Sequence, residues 1–205
     1  MNEVLENIRR RRSVRRFLPE PLPQEVLTAV IEAGRQAPCG GNNRTTHFMV
    51  IQDQEALEEL RRLAVQEFAK MEVAEDTYRS LKNAILSSKK GTYVYDYRAP
   101  VLVVVANRAG YRNAMADCSC ALENMMLAAF SLDVGSCWIN QLHWLDDNPA
   151  VRAALESWGL GPGVSGRGGR AQGGRGSRGE PGDVCLRIVF ISNPAVDYSM
   201  FSCYS

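Results

Sequence analysis

This sequence has almost no net charge, no long apolar run and very little histidine. Lysine and arginine number 24 against 23 aspartates and glutamates, a formal net charge of +1, so no global field draws the chain to nucleic acid. No stretch approaches the ~20 consecutive apolar residues that a membrane span needs. The segment Met1–Arg12 is polar and basic and lacks the apolar centre of a secretory signal. The six cysteines are therefore expected as reduced thiols in the cytoplasm. The two histidines, His47 and His143, lie most of the chain apart, and with no serine elbow nearby a hydrolase arrangement is unsupported. Cys118 and Cys120 stand two apart in a helical pattern and face different ways, and Cys137 has no Cys or His at zinc spacing, so no metal site is expected. No G-x-G-x-x-G follows a strand and opens a helix, which argues against a Rossmann domain. What is present is 205 residues, 45% of them hydrophobic, enough to build a core and too apolar for a disordered chain.

The averages conceal two local extremes. Arg9, Arg10, Arg11, Arg12, Arg15 and Arg16 crowd into eight positions, and Gly161–Gly182 holds ten of the 17 glycines with hardly an apolar residue. Such a stretch cannot bury enough apolar surface to offset its ordering entropy. The expected organisation is a domain over 1–160, a flexible Gly/Arg linker over 161–182 and a tail over 183–205 with one strand-like run, Val184–Ile191.

Within the domain, Asn2 is placed to cap a helix bearing Val4, Leu5 and Ile8. A second helix starts near Pro23 or Gln24 and ends near Gln36, its stripe being Val26, Leu27, Val30 and Ile31. Helical spacing also marks 55–74, Ala114–Leu132 and Asn148–Trp158. Strand composition marks His47–Gln52, Val101–Ala106 and Ser136–Asn140. Helices alternating with few strands predict an α+β or α/β class. Tyr93, Tyr95 and Tyr97 alternate ahead of a strand, as an edge strand or the lining of an access channel would.

Two loops carry chemistry. Arg11-Arg12-Ser13-Val14-Arg15-Arg16-Phe17 gathers guanidiniums and a hydroxyl at a helix end, a pattern suited to phosphate and equally to a solvated basic turn or a nucleic-acid patch. Ala37-Pro38-Cys39-Gly40-Gly41-Asn42-Asn43-Arg44 precedes a strand; its glycines allow close approach to a planar ligand, and the Asn42 amide offers donor and acceptor together. The same residues also make ordinary turns.

Taken in order, RRSVRRF, APCGGNN…HFMVI and DCSCALENMMLAAFSLDVGSCWI resemble the nitroreductase family of flavoenzymes over roughly Met1–Leu160. The resemblance implies an α+β fold with a central, mostly antiparallel sheet flanked by helices, in an intertwined homodimer with FMN at the interface. It implies hydride transfer from NADH or NADPH through FMN to a nitroaromatic, a quinone or a similar small-molecule electron acceptor. It assigns Arg11, Arg12 and Ser13 to the ribityl phosphate and nearby flavin atoms, Arg15 to the pyrimidine carbonyls and Asn42 to the pyrimidine edge. Pro38, Cys39 and Gly40 pack on the ring from the other subunit, and the backbone of Trp138, Ile139, Asn140 and Gln141 faces the flavin. No catalytic side chain is required, because the flavin carries the chemistry. Relatives of the same fold performing reductive dehalogenation or flavin breakdown, and a flavin- or RNA-binding protein without turnover, are the rival readings.

The sequence departs from the family pattern at two places. Arg44-Thr45-Thr46 stands where Gln-Pro-Trp is common, removing an aromatic wall from the substrate side. The Gly/Arg stretch replaces the usual ending, and Asp183–Ser205 contains Arg187 as its one cation. Read one base later, codons for Gly163–Gly169 allow Glu-Tyr-Arg-Gly-Ala-Val-Ala, which is the family's expected strand. A frameshift near Gly163 is therefore predicted; sequencing the source DNA checks it, and the idea fails if no single-base change restores a family-like ending.

Overall fold

The computed structural model describes residues 2–108 and 110–160, together with the backbone of 187–192. The linker expected over 161–182 and the rest of the tail lie outside the described residues. Six helices are described: α1 (Glu3–Arg10), α2 (Gln24–Arg35), α3 (Gln54–Lys70), α4 (Arg79–Lys89), α5 (Ala114–Ser131) and α6 (Pro149–Ser157). Four strands, β1 (His47–Ile51), β2 (Leu102–Ala106), β3 (Gly135–Ile139) and β4 (Arg187–Ser192), form one sheet in the order β1-β2-β4-β3 with every neighbour antiparallel. The expected α+β class with an antiparallel sheet is what the chain adopts.

Strand β2 explains the layering. All five of its residues are buried, and the period of two sends successive side chains to opposite faces. Leu102, Val104 and Ala106 join a core with α3 and α6, whereas Val103 and Val105 join a second core with α2 and α5. Both faces of the sheet are thereby covered by helices.

The helices follow from spacing and capping. Asn2 Oδ1 accepts from Leu5 N (3.0 Å) at the start of α1, Asp53 from Ala56 N (2.8 Å) at α3, and Asn148 from Ala150 N and Val151 N at α6, where Pro149 occupies the first turn. Helix α3 buries Ala56, Leu57, Leu60, Ala64 and Phe68 along one stripe. It ends at Lys70, short of the expected residue 74; Met71 keeps helical spacing from Phe68 and still packs on the core, so the periodicity outlasts the helix. Helix α1 buries nothing: Val4, Leu5 and Ile8 are 65%, 53% and 50% exposed.

The tyrosines do not form an edge strand. Tyr95 is buried in the α3 side of the core, Tyr93 meets Phe68 edge-on at 5.7 Å, and Tyr97 sits at φ +52° in a turn. Their segment has no strand partner because α3 offers it a ring-packing surface instead.

Helix α2 ends against α5 at Gly34, where an added Cβ would lie 2.7 Å from Met125 Cγ and 2.9 Å from Phe48 Cε1. Met125 is fully buried, so it has little room to yield. Gly34→Ala should therefore lower stability by about 1–3 kcal/mol, seen as a lower urea midpoint at unchanged m. A wild-type midpoint would show that the two helices part freely.

Candidate cofactor site

The structure sorts the expected site residues into two groups on opposite edges of the sheet. The first hangs on β3. Val14 N donates to Ser136 O (2.9 Å), and Ser13 bridges Ser136 in parallel, so the arginine-rich segment runs along the free edge of β3. Because Ser136 directs its carbonyl to that edge, the alternation of antiparallel hydrogen bonding directs the N–H and C=O of Trp138 there too. The Ile139 side chain is buried in the core and the same alternation turns its backbone groups toward β4, away from the free edge, while Trp138 and Asn140 are exposed and Gln141 opens a 3₁₀ turn.

The arginines of this edge are not equivalent. Arg12 Nη1 donates to Arg9 O (2.7 Å) and Arg11 O (2.9 Å), so it closes the carbonyl end of α1. Arg11 Nη1 is buried and has no hydrogen-bond partner among the described residues, and the same holds for Ser136 Oγ. Burial pushes the Cys137 thiol pKa up while Arg15 and Arg11 pull it down, which places both guanidiniums within electrostatic reach of β3. A buried guanidinium nitrogen without an acceptor is a costly arrangement. An anion at this edge would satisfy it, so the residues present fit the phosphate of a nucleotide-like group.

The second group is the loop before β1, on the other outer strand. Gly40 N donates to Asp117 Oδ1 of α5 (3.0 Å), and the Tyr111 hydroxyl donates to Gly40 O (3.0 Å). A side chain at Gly40 would run into Asn113 and Tyr111, so this peptide is held on both sides by close approach. Asn42 and Arg44 adopt left-handed backbone (φ +54° and +49°), and Arg44 Nε donates to Asn42 Oδ1 (3.2 Å). That leaves the Asn42 amide nitrogen as its available donor. Cys39 Sγ accepts from Arg44 N (3.4 Å) and is half-buried. Pro38 and Cys39 wall a cavity of about 420 Å³ that reaches back to Asp117.

Two residues that position this loop, Tyr111 and Asp117, were not among the expected site residues. Asp117 was visible as a carboxylate in an otherwise apolar helix, yet nothing in the spacing said that it would reach a loop 77 residues earlier. Asp117 is 5% exposed, and its Oδ2 has no partner among the described residues.

About ten residues along α5 separate Asp117, which holds the second group, from Leu127, whose carbonyl accepts from Asn7 Nδ2 of α1 (3.0 Å) beside the first. At 1.5 Å per residue this is a rise of ~15 Å along the helix. The face between them is filled by α2 and α5.

No helix among the described residues is long and apolar enough to cross a membrane. The profile of the Nitroreductase family matches residues 8–157. A relative from Methanothermobacter thermautotrophicus, named "Putative NADH dehydrogenase/NAD(P)H nitroreductase", is 27% identical over 140 residues, 66% of this chain and 60% of its own length. A relative of the same name from Archaeoglobus fulgidus is 30% identical over 143 residues, 68% of each chain. The chain thus spans less than two thirds of the first relative's length. Among solved structures, a nitroreductase with bound FMN from Bacteroides fragilis is 34% identical, superposes with a TM-score of 0.76 and is covered over 100% of both chains. A profile match over most of the chain, on a shared α+β architecture, shows that it belongs to the nitroreductase family.

Proposed function

We propose that the chain is an FMN-dependent oxidoreductase that uses NADH or NADPH to reduce a small-molecule electron acceptor, a nitroaromatic or a quinone, as a cytoplasmic homodimer. The observation that carries this reading is the orphaned, buried Arg11 Nη1 on the free edge of β3. FMN, when bound, supplies the ring that accepts hydride and hands electrons on, so the protein's part is binding, orientation and electrostatics.

Each group of residues has a task in that reading. Arg11 donates a charge-assisted hydrogen bond to the phosphate, and Ser13 adds a neutral donor. Arg15 supplies positive charge where a reduced ring accumulates negative charge. The N–H of Trp138, aimed at the open edge, donates to the ring without needing any particular side chain. Asn42 presents its amide nitrogen to the pyrimidine edge, while Pro38, Cys39 and Gly40 form a wall that keeps water off one face. Arg12, engaged with the end of α1, acts by holding the segment that carries Arg11 and Ser13.

The split supports the homodimer in this reading. The two groups stand on opposite edges with packed core between them, so each completes its site against the other group of a second copy. The exposed Val4, Leu5 and Ile8 of α1 give that copy an apolar surface to cover. Three free thiols among the described residues, Cys39, Cys120 and Cys137, accord with a reducing compartment.

Purified protein should be yellow, and NADH or NADPH should bleach it. Colourless protein that takes up no added FMN would end the enzyme reading. Arg11→Ala should weaken FMN binding roughly ten- to hundredfold, the equivalent of about 1.5–3 kcal/mol, and added salt should weaken what remains. Titration of FMN into stripped protein reads both effects, and unchanged affinity in Arg11→Ala refutes the phosphate assignment.

A second prediction separates shared sites from single-chain sites. Arg11→Ala and Asn42→Ala, each deficient alone, should restore flavin to about a quarter of the sites when co-expressed, because half of the random dimers are mixed and each mixed dimer has one intact site. No recovery would place both residues in the same chain's site.

A further inference from the structure

Beyond the end of β3 the surface carries aromatic rings that neither core takes up. The 3₁₀ segment Gln141–Leu145 buries Leu142 and Leu145, and so turns His143 and Trp144 between them outward. Helix α4 packs against this segment and brings Tyr78, at its start, beside Trp144. Tyr78 is 65% exposed and Trp144 37%. Their ring centroids lie 6.2 Å apart with planes inclined at 34°, and the His143 ring continues the group at 5.6 Å from Trp144. His143 is partly exposed, and Asp146 Oδ2 holds its Nδ1 at 2.7 Å, which fixes the imidazole in place. A lone exposed tryptophan needs no explanation, but adjacent exposed rings form the kind of patch that marks a binding surface. The charges around it are balanced. Asp146 is engaged by His143, and Asp147 faces Arg152 at 3.3 Å. Glu75 and Asp76 precede Tyr78, while Arg79 and Lys82 follow it. The patch therefore suits a neutral aromatic ring better than an aromatic cation, which would draw on an open carboxylate.

We propose that Tyr78, Trp144 and His143 form the subsite for the adenine ring of NADH or NADPH, with Trp144 its main stacking surface. Position selects this ring. From Trp138, whose N–H opens on the free edge of β3, the chain reaches Trp144 through the end of the strand and one 3₁₀ segment, ~15 Å at most. A nicotinamide dinucleotide carries two ring systems, and in extended form it covers such a span. With the nicotinamide over the flavin, the adenine therefore has these rings within reach. Adenine is neutral and flat, and a base stacks on an aromatic side chain through a face that needs no charged partner. The imidazole, already ordered by Asp146, extends the surface without a further cost of immobilisation. This placement rests on reading the free edge of β3 as the flavin edge, which is what locates the nicotinamide.

The test measures equilibrium binding, so it needs no turnover. 5′-AMP and ribose 5-phosphate, which share a phosphate and differ by the base, are titrated calorimetrically into the full chain with FMN present. Wild type should bind AMP at least roughly tenfold more tightly than ribose 5-phosphate, the size expected of one stacked base. Trp144→Ala should remove most of that difference, and Trp144→Phe, which keeps a ring, should restore much of it. Tyr78→Ala, at a largely exposed position, should also reduce it. Equal affinity of wild type for AMP and ribose 5-phosphate overturns the proposal even if Trp144→Ala does not fold, and so does an undiminished difference in a folded Trp144→Ala. Rings that a second copy covers instead would show no preference for the base, the same overturning result. The comparison also separates this subsite from the proposed function. Protein that NADH bleaches but that does not distinguish AMP from ribose 5-phosphate keeps the enzyme reading and loses the subsite. Protein that prefers AMP through Trp144 but never bleaches keeps the subsite and loses the enzyme reading.

Discussion

Helix α5 is the member on which both parts of the candidate site depend. Near its start, Asp117 grips the Gly40 peptide; ten residues on, the Leu127 carbonyl receives Asn7 and fixes α1, from whose end Arg11 projects. One rigid helix thus holds both the cavity loop and the helix that leads into the phosphate-side segment. Its sequence suits this task. Small and apolar residues let it sit close to α2 and the sheet, and Gly34 on α2 removes the one side chain that would hold the helices apart. A carboxylate in such a helix would be a liability unless it had a purpose, and Asp117 spends one oxygen on the loop.

The strands were the most legible part of the chain because burial on both faces leaves a plain signature. Val101–Ala106 reads as continuous β-branched density, and β2 is indeed buried along its whole length. His47–Gln52 and Ser136–Asn140 gave shorter signals of the same type and appear as β1 and β3 within a residue at each end. Helices with a capping side chain were legible for a local reason: Asn2 and Asn148 satisfy their own first-turn N–H groups, with no need of distant partners. Helix α4 escaped the reading. Its stripe is Ala84, Ile85 and Ser88, two of them small, and Tyr78 at its start offers no side-chain cap. The tyrosine segment misled for a related reason. Alternation is necessary for a strand but does not supply a partner, and here Phe68 competes for the rings.

The site was legible in its components and illegible in its assembly. Arginines beside a helix end and a Gly/Asn loop before a strand are local patterns, visible in a line of letters. That the two lie on opposite edges is a property of sheet order, β1-β2-β4-β3, which brings a strand from beyond residue 186 between two earlier ones. No local pattern encodes such an insertion. Arg12 illustrates the same limit on a smaller scale. Its residue type matches that of Arg11, yet one guanidinium closes a helix and the other keeps a buried nitrogen unpaired, a difference set by where α1 ends relative to β3.

The unpaired groups have opposite character on the two edges: a buried donor, Arg11 Nη1, beside β3 and a buried acceptor, Asp117 Oδ2, beside β1. Each left unsatisfied costs about 1–3 kcal/mol, a considerable share of the 5–15 kcal/mol by which a domain is ordinarily stable. Substitution does not simply remove the penalty: an apolar side chain at Asp117 would leave the Gly40 N–H without its acceptor, and glutamine at either position brings polar atoms that need partners of their own. Their retention is understandable if ligands recover the lost hydrogen bonds, because a molecule that binds only the folded chain returns that free energy as stability. On this view the Arg11 donor that weakens the empty chain also gives its edge specificity for an anion.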